Sequence, residues 1–582
     1  MCIRDSATAY KKFDVPADWA DAKDETVTTK LTGREGVVKQ VEDIMFPVGR
    51  MDGDSLPVSA FLPHVDGQFE QGAAAYEKRG VSVSVPTWDA SKCIQCNNCA
   101  YVCPHATIRP FALTEEEAAK APAAAKIVDV KAGKGKGVYK YTMAVSPLDC
   151  MGCGVCVGVC PVGALTMVGQ EEEAAQQDVF DYCVAEVAPK ADMQDNTVKG
   201  SQFKQPYLEF SGSCAGCAET SYARLVTQLF GDRMYISNAT GCSSIWGGPA
   251  ATSPYCTDKN GHGPAWANSL FEDNAEHGLG MYLGQEATRN RLADLTRQLI
   301  AVEYADESIK AAGQKWLDTM ADGAANKSAS TEFIASMESV VSARGDCDCD
   351  ACKLAREILK DKEYLEKKSI WIFGGDGWAY DIGFGGVDHV LASGKDVNVF
   401  VFDTEVYSNT GGQASKASNI GQVAQFAAAG KETKKKSLAE IAMSYGYIYV
   451  AQIAMGANPA QTIKAITEAE AYNGPSLIIG YSPCEMHSIK GGMINCQKEM
   501  KKAVECGYWN LFRFNPAADK KFTLDSKAPA GGYREFLMNE ARYSRLTREF
   551  PERAEGLFTR NEDAAKERYE HLTKLIDLYD KQ

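Results

Sequence analysis

Eight of the 20 cysteines fall into two runs with identical spacing. The first run holds Cys93, Cys96, Cys99 and Cys103, and the second holds Cys150, Cys153, Cys156 and Cys160. A proline follows the last cysteine of each run, which completes the pattern C-x2-C-x2-C-x3-C-P of a loop that wraps a [4Fe–4S] cluster. The alternatives, a pair of zinc knuckles or disulfides, would not require eight cysteines to repeat this spacing twice. The sequence therefore predicts two iron–sulfur clusters in one small domain.

The spacing also predicts how the cysteines are shared between the clusters. In paired runs of this kind, the fourth cysteine binds the cluster of the other run. The first cluster is then expected on Cys93, Cys96, Cys99 and Cys160, and the second on Cys150, Cys153, Cys156 and Cys103. Thiolate ligands need a reducing compartment, and the N-terminus lacks a signal-peptide pattern, so a cytoplasmic location is expected.

Composition excludes several classes of protein. A chain of 582 residues is too long for one hydrophobic core, and about three or four domains are expected. No apolar run approaches the roughly 20 residues of a membrane span. The formal net charge of −15 argues against a polyanionic partner. We therefore expect neither a membrane nor a nucleic acid among the partners.

Changes in composition and hydrophobic periodicity divide the chain into four regions. Residues 1–85 mix short apolar stretches with Pro and Gly, and are expected to be an incomplete N-terminal segment and linker. Residues 86–200 contain the cysteine runs. Residues 201–515 alternate β-rich runs with helix-period segments, and residues 516–582 are expected to form a helical extension. The predicted fold class is a multidomain α/β and α+β protein, in which the third region has a largely parallel sheet.

Individual elements of the third region can be predicted as well. The strands are expected at residues 369–373, 397–402, 447–453 and 476–481, and helices at residues 438–445 and 459–472.

Two of these strands run directly into polar, glycine-rich segments. The strand at 369–373 leads into GGDGW, and the strand at 397–402 leads into DTEVYSNTGGQ. Ligands of parallel sheets bind beyond the carboxyl ends of the strands. Glycines let backbone N–H groups approach a pyrophosphate, and carboxylate and other protein oxygens suit Mg²⁺. One site for a phosphate-bearing ligand and Mg²⁺ is therefore predicted.

These segments resemble those of pyruvate:ferredoxin (flavodoxin) oxidoreductases. The matching stretches are GDGWAYDIG from Gly375, DTEVYSNTGGQ from Asp403, SGSCAGCAE from Ser211, NATGCSSIWGG from Asn238 and YSPC from Tyr481. The stretch EMHS after Cys484 departs from the Ile/Asn-rich family pattern. The resemblance implies that a thiamine-pyrophosphate-binding α/β domain stands beside a ferredoxin-like two-cluster domain.

The resemblance also implies roles for single residues. The Mg²⁺ ligands would be the side chains of Asp376 and Thr404 and the carbonyl of Val406. A third [4Fe–4S] cluster would be held by Cys214, Cys217, Cys242 and Cys484. Further residues at the thiamine pyrophosphate would be Glu219, Gly375, Gly377, Trp378 and Asn409, of which Asn409 would face the substrate as a catalytic residue. Spacing alone reveals only the Cys214–Cys217 pair, for which buried thiols are the alternative.

The implied reaction is oxidative decarboxylation of pyruvate with coenzyme A to acetyl-CoA and CO2. Electrons would pass through the three clusters to ferredoxin or flavodoxin. The family's pyrimidine-binding and coenzyme A domains have no counterpart in the sequence, so the chain is expected to be a C-terminal half that works with a missing N-terminal half, as a homodimer. The alternatives are another 2-oxo acid as substrate, or a non-catalytic ferredoxin-like electron-transfer module.

The other cysteines carry weaker signals. Cys347, Cys349 and Cys352 lie in an Asp-rich segment without the C-P ending, and an exposed loop is expected there rather than a metal site. Packed thiols are expected at Cys183, Cys256, Cys496 and Cys506.

Overall fold

The computed structural model describes residues 12, 14–21, 31–131, 133, 135–190, 192–193 and 195–580. Residues 1–11, 13 and 22–30 of the predicted segment 1–85 lie outside this set. The rest of that segment contributes two short helices, α1 (Glu35–Gln40) and α2 (Phe46–Gly49), joined by one turn of π-helix. Buried Val37, Val41 and Ala73 give this segment a small core of its own.

The cysteine runs lie in a domain of two small antiparallel sheets. Its strands are β1 (Ser84–Trp88), β2 (Ile108–Leu113), β3 (Val128–Asp129), β4 (Lys140–Val145) and β5 (Leu165–Gly169). Its helices are α3 (Asn98–Val102), α4 (Glu115–Lys120), α5 (Val155–Gly158), α6 (Gln176–Glu186) and α7 (Val198–Ser201). Strand β1 precedes the first run and pairs with β5, which follows the second. This pairing, together with the packing of α3 on α5, places the two runs side by side.

The remaining strands form one eight-stranded sheet. They are β6 (Met234–Ala239), β7 (Ala265–Ser269), β8 (Ser369–Gly375), β9 (Asn398–Asp403), β10 (Tyr449–Ile453), β11 (Ser476–Tyr481), β12 (Phe512–Phe514) and β13 (Phe522–Leu524). Their order is β13-β12-β10-β11-β9-β8-β6-β7. Strands β6 to β11 run parallel, and β12 and β13 are antiparallel additions at one edge. The predicted largely parallel sheet is confirmed, and the four predicted strands differ from the observed ones by at most two residues at either end.

Helices cover this sheet and also extend away from it. They are α8 (Ala218–Phe230), α9 (Cys242–Gly247), α10 (Asn274–Ala301), α11 (Glu307–Thr319), α12 (Gly323–Arg344), α13 (Asp350–Lys360), α14 (Phe384–Ala392), α15 (Leu438–Met443), α16 (Pro459–Ala471) and α17 (Cys496–Glu505). Helices α10 to α13 are inserted between β7 and β8. They pack on one another around a separate core that includes Trp316 and Phe333, while α10 also contacts the sheet.

The C-terminal region packs against the sheet. Its helices are α18 (Tyr533–Asn539), α19 (Ala541–Ser544), α20 (Leu546–Glu549) and α21 (Pro551–Asp580). Helix α21 packs on β13. Strand β13 lies beyond residue 515, so the sheet continues into the segment that was predicted to be wholly helical, because Phe522 and Leu524 alternate in the strand period and pair with β12. No helix among the described residues has both the length and the apolar character of a membrane span.

Candidate functional site

The structure brings the eight cysteines of the two runs together as crossed sets. A small cavity is lined by Cys93, Cys96 and Cys99 of the first run and by Cys160 of the second. Cys103 belongs to the other set: after burial, its charge is the main neighbouring cause that raises the pKa of Cys153 to about 12. The fourth cysteine of each run therefore lies near the cysteines of the other run.

The two cysteine loops reach the same backbone shape by different means. Left-handed φ angles occur at Gln95 (58°) and Asn97 (62°) in the first loop, and at Gly152 (67°) and Gly154 (70°) in the second. Glycine adopts this conformation without strain. In the first loop, hydrogen bonds of the Asn97 side chain stabilise the left-handed conformation instead. Its amide donates to the Lys199 carbonyl at 2.8 Å and accepts from the Tyr141 hydroxyl at 2.8 Å.

Backbone amides of both runs point at cysteine sulfurs. The Gln95 N–H donates to Cys93 Sγ at 3.3 Å, and the Gly152 N–H donates to Cys150 Sγ at 3.4 Å. Such bonds are among the factors that set cluster potential. The loops thus place N–H donors where a cluster-bound thiolate could accept them.

A second site lies at the carboxyl edge of the large sheet, and we call it the strand-edge site. It receives residues from the ends of β6, β8, β9 and β11, which are adjacent strands. The site is a small, partly open cavity. Its lining includes Glu219, Cys242, Asp376, Thr404 and Asn409, as expected where parallel strands end together.

Oxygen atoms converge in this site on the positions expected for Mg²⁺. Thr404 Oγ1 donates to Asp376 Oδ1 at 2.8 Å and lies 2.9 Å from the Val406 carbonyl oxygen. The side chain of Asp376 is 1% exposed, and burial, reinforced by the charge of Asp403, raises its pKa to about 7. A carboxylate, a hydroxyl and a carbonyl are all hard oxygen donors of the kind that Mg²⁺ prefers. The residues present therefore fit this ion.

The turn between Thr404 and Val406 depends on a left-handed residue. Glu405 has φ 61° although it is not glycine, and it is fully buried. Its carboxylate pairs with Lys435 at 2.9 Å and with Arg542 at 2.8 Å. Although burial alone would raise the pKa of Glu405, these two cations lower it to about 2. A left-handed conformation at a residue other than glycine is unfavourable unless surrounding contacts stabilise it. Here the two ion pairs of Glu405 provide those contacts.

A set of buried ion pairs, which we call the carboxylate network, extends from this turn to the C-terminal region. Lys435 also pairs with Asp403 at 2.7 Å, and Arg542 with Glu540 at 2.6 Å. The network thereby links the end of β9 to helix α19. Its two cations lie 30 and 137 residues beyond Glu405, and no local pattern marked them in the sequence.

Three further polar residues at the strand-edge site were not found by sequence reasoning. Ser415 Oγ donates to Asp376 Oδ2 at 2.6 Å, and Ser408 Oγ lies 3.7 Å from Cys484 Sγ. His487 is buried and contacts the Thr404 carbonyl through Nε2 at 2.8 Å. His487 belongs to the stretch that departs from the family pattern, and this departure was the available signal.

The four cysteines expected at a third cluster lie around the same edge. Cys217 caps the start of α8, Cys242 opens α9, and Cys484 follows β11. After burial, the charges of Glu219, Cys217, Cys484 and Cys214 raise the pKa of Cys242, so the four thiols are close neighbours. Cys214 is exposed and Cys217 is buried.

The other predicted cofactor residues line the cavity. Burial, followed by the charge of Asp376, raises the pKa of Glu219 to about 8. Asn409 lies exposed at the rim, whereas Trp378 is 1% exposed beneath it. Gly375 and Gly377 bring backbone close to the cavity, and a side chain at Gly377 would collide with the Tyr407 ring.

One short segment, residues 493–495, joins the third cysteine set to the second run. A Cβ on Gly158 would overlap the Ile494 carbonyl oxygen, and a Cβ on Gly216 would lie 2.7 Å from Met493 Cβ. Close by, burial and then the charges of Cys217, Cys484 and Cys153 raise the pKa of Cys496. Cys496 is thus a buried thiol between the two cysteine sets, and the packed-thiol expectation holds for it and for Cys183, Cys256 and Cys506.

Three family models match parts of the chain. Residues 29–82 match EKR, a domain of unknown function, and residues 92–164 match a 4Fe-4S dicluster domain. Residues 353–479 match the C-terminal TPP binding domain of thiamine pyrophosphate enzymes. These matches agree with the predicted fold classes and with iron–sulfur and thiamine pyrophosphate cofactors.

Curated relatives match nearly the whole chain. A pyruvate:ferredoxin oxidoreductase from Moorella thermoacetica is 50% identical over 577 residues, which is 98% of this chain and 48% of that protein. A pyruvate-flavodoxin oxidoreductase from Klebsiella pneumoniae is 48% identical over 96% of this chain and 47% of its own length. A mitochondrial pyruvate dehydrogenase [NADP(+)] from Euglena gracilis is 44% identical over 97% of this chain and 31% of its own.

The chain spans about half the length of the first of these relatives. Among solved structures, a 2-oxoglutarate:ferredoxin oxidoreductase from Magnetococcus marinus matches 47% of this chain and 64% of its own, at 14% identity and a TM-score of 0.26, which is too low for a structural argument.

Proposed function

We propose that the chain belongs to the pyruvate:ferredoxin (flavodoxin) oxidoreductase family and supplies the pyrophosphate-binding, Mg²⁺-binding and electron-transfer half of the pyruvate-oxidising enzyme. The reaction would convert pyruvate and coenzyme A into acetyl-CoA and CO2, and ferredoxin or flavodoxin would accept the electrons. The complementary N-terminal half would complete the cofactor site, and the assembled enzyme would be a cytoplasmic homodimer.

One observation carries this proposal. The strand-edge cavity is lined both by the oxygens of Asp376 and Thr404 and by Cys242 of the third cysteine set. Hard oxygen donors suit Mg²⁺ and phosphate, whereas thiolates suit an iron–sulfur cluster. A site that combines both donor types on one cavity is suited to reactions in which electrons leave directly from a phosphate-bearing cofactor.

The proposed ligands follow from the donor sets. Asp376, Thr404 and the Val406 carbonyl would hold Mg²⁺, and Gly375, Gly377 and Trp378 would border the pyrophosphate. The crossed cysteine sets would hold the first two clusters, and Cys214, Cys217, Cys242 and Cys484 the third. When bound, thiamine pyrophosphate supplies the carbanion chemistry that releases CO2 from a 2-oxo acid, and the clusters accept single electrons.

The protein's own residues prepare the cavity for this chemistry. Glu219 is protonated at neutral pH because burial raises the pKa of its carboxyl to about 8. It therefore presents a hydrogen-bond donor to a ligand in the cavity without adding a second full negative charge beside Asp376. Asn409 would contact the substrate from the exposed rim, where its amide can donate to a carboxylate.

The arrangement of thiols gives the electrons a direction. The third set shares a cavity with the proposed cofactor, and residues 493–495 pack it against the second cysteine run. Electrons would therefore enter at the third cluster and leave through the ferredoxin-like domain toward the external carrier.

The test is coenzyme A-dependent reduction of a low-potential viologen by pyruvate. The chain would be coexpressed with the N-terminal half of the Moorella thermoacetica relative, purified anaerobically, and supplied with thiamine pyrophosphate and Mg²⁺. We expect turnover from the coexpressed halves and none from the chain alone. Asp376→Asn in the same preparation should abolish turnover while the iron content stays unchanged.

Two outcomes would contradict the proposal. The first is turnover by the chain alone, which would mean that it contains the whole cofactor site. The second is an inactive pair of halves that nevertheless associates and carries its full iron content. Supplying 2-oxoglutarate and 2-oxobutyrate as competitors in the active preparation would test the choice of pyruvate.

A further inference from the structure

Three cysteines outside the three sets above come together at the tip of the inserted helices. Cys347 and Cys349 lie in the turn between α12 and α13, and Cys352 lies in the first turn of α13. Cys352 is 1% exposed, and the other two are half-buried. The expectation of an exposed loop is therefore wrong for Cys352, because the helix begins at Asp350 and buries this side chain.

The spacing of the sulfurs suits one metal ion. The three Sγ atoms all lie within 4.8 Å of one another. Thiolates bound to a tetrahedral Zn²⁺ at about 2.3 Å are separated by about 3.8 Å, so small side-chain rotations would close the set around an ion. Among the described residues this is the single group of three or more potential ligands that is so compact. The cysteines of the runs stand farther apart, as ligands of different iron atoms must.

A helix N-terminus and a guanidinium lie beside the three sulfurs. Cys349 precedes the N-terminus of α13, where the helix dipole favours negative charge. The guanidinium of Arg344 lies beside the sulfurs of Cys349 and Cys352. Three thiolates and one divalent cation carry a net charge of −1, which a single guanidinium balances.

The turn is also held in place without an ion. The guanidinium of Arg356, one turn further into α13, donates to the Cys347 carbonyl at 2.8 Å and to the Gly345 carbonyl. Such pre-organisation lowers the cost of collecting three ligands. Asp346 and Asp348 are exposed beside the thiols, and one of their carboxylates or a water molecule can complete four-coordination.

The geometry points to a mononuclear site for a thiophilic divalent cation of the Zn²⁺ class, formed by Cys347, Cys349 and Cys352. Binding displaces the thiol protons to solvent, and the three sulfurs each donate one electron pair to the ion. The site lies on the helical insertion rather than on the strand-edge site, and it ties the end of α12 to the start of α13. Its role is to stabilise this insertion, as structural zinc does elsewhere.

The experiment uses the full chain, purified anaerobically with its iron–sulfur clusters, incubated with Zn²⁺ and desalted. Elemental analysis should find about one zinc more per chain in the wild type than in the C347S/C349S double variant, with equal iron in both. Cys183→Ser is the matched control, because this buried thiol lies outside all four cysteine sets, and its zinc content should equal that of the wild type. Equal zinc in the wild type and the double variant would overturn the proposal.

A second measurement needs no variant and so does not depend on folding. Alkylation of Cys347 and Cys349, followed by mass spectrometry, should slow at least tenfold with Zn²⁺ and recover after a chelator removes the ion. Rates that are unchanged by zinc would overturn the proposal. So would a peptide spanning residues 347–352 that is two mass units lighter and free of zinc, because that result identifies a disulfide.

Discussion

The ferredoxin-like domain and the strand-edge site both collect ligands around a cofactor, but they assemble them differently. In the ferredoxin-like domain, each set takes three cysteines from one run of seven residues and the fourth from the other run. At the strand-edge site, the proposed ligands come from residues 214 to 484, which only the sheet brings together. The ligands of a local site can be predicted from the spacing of residues along the chain. The ligands of a non-local site can be predicted only once the order of the strands in the sheet is known.

The two regions also differ in how they handle charge. The thiols of the ferredoxin-like domain are surrounded by backbone amides and apolar side chains. The strand-edge site instead rests on the carboxylate network, in which Lys435 and Arg542 each hold two buried carboxylates. A buried charge that loses its partner is costly, so the second region should be the more sensitive to single substitutions.

The largest expected effect is cluster loss, which we compare between a cysteine of the ferredoxin-like domain and a cysteine of the strand-edge site. Cys484→Ser and Cys153→Ser should each remove one cluster, lowering iron from about twelve to about eight atoms per chain. Only Cys484→Ser should also weaken thiamine pyrophosphate binding, because Ser408 beside the proposed Mg²⁺ ligands contacts Cys484. Iron analysis and calorimetric titration with the cofactor measure both effects.

The control for this comparison is Cys496→Ser, which changes a buried thiol near both sets but should keep all the iron. If Cys153→Ser weakened cofactor binding as much as Cys484→Ser, the two regions would not be separable in this way.

The next largest effect concerns the carboxylate network. Glu405→Ala leaves Lys435 and Arg542 buried with one carboxylate fewer each, and should lower the free energy of unfolding by about 3–5 kcal/mol. Anaerobic urea denaturation measures the loss. Glu432→Ala removes an exposed partner of Arg553 and should cost less than about 1 kcal/mol. Similar losses for the two variants would show that the buried network adds nothing beyond surface pairing.

A pH effect of intermediate size should come from Glu540. Burial raises its pKa from 4.5 to about 7, even though Arg542 opposes the change. Below pH 4.5 the group is protonated in both the folded and the unfolded chain, and its contribution is fully present. As the pH rises to about 7, the unfolded chain gives up this proton first, so stability should fall by about 3 kcal/mol.

Urea denaturation of the wild type and of Glu540→Gln, from pH 4.5 to pH 8, isolates this contribution as the difference between the two curves. The glutamine variant cannot titrate at this position, so the wild type should lose stability relative to it with rising pH. A constant difference would mean that the pKa of Glu540 is ordinary.

The smallest effect contrasts the two cysteine loops. Gly154→Ala forces an L-residue into φ 70° and sets its Cβ 2.9 Å from Ile494, so a loss of about 1–2 kcal/mol is expected in urea denaturation. Gly163→Ala has a similar φ with open space around it, and should lose less. Asn97→Gly should gain nothing despite its left-handed φ, since it gives up two hydrogen bonds. A more stable glycine variant would mean that those bonds contribute little.

The sequence predicted more of the ligands in the ferredoxin-like domain than of the contacts at the strand-edge site. The cysteine spacing alone predicts the sharing of all eight thiols of the ferredoxin-like domain, because their partners lie in fixed local patterns. The strand ends were predictable from periodicity, and the family resemblance added Asp376, Thr404 and the third cysteine set. Lys435, Arg542 and His487 were not predicted, because an ion pair or a buried contact between distant segments leaves no periodic trace. The close approach of Cys347, Cys349 and Cys352 was missed because it depends on where α13 begins.

The contact of Gly158 and Gly216 with residues 493–495 bears on the rate of electron transfer between the proposed clusters. Because these glycines have no side chains, residues 493 and 494 pack directly on the backbone of both cysteine sets, and this contact opposes rotation of the ferredoxin-like domain. In the proposed electron path, the clusters would then keep fixed distances, and the diffusing component would be the proposed external carrier. We therefore expect the internal transfer rate to be unaffected by solvent viscosity, while the delivery of electrons to the carrier slows as viscosity rises.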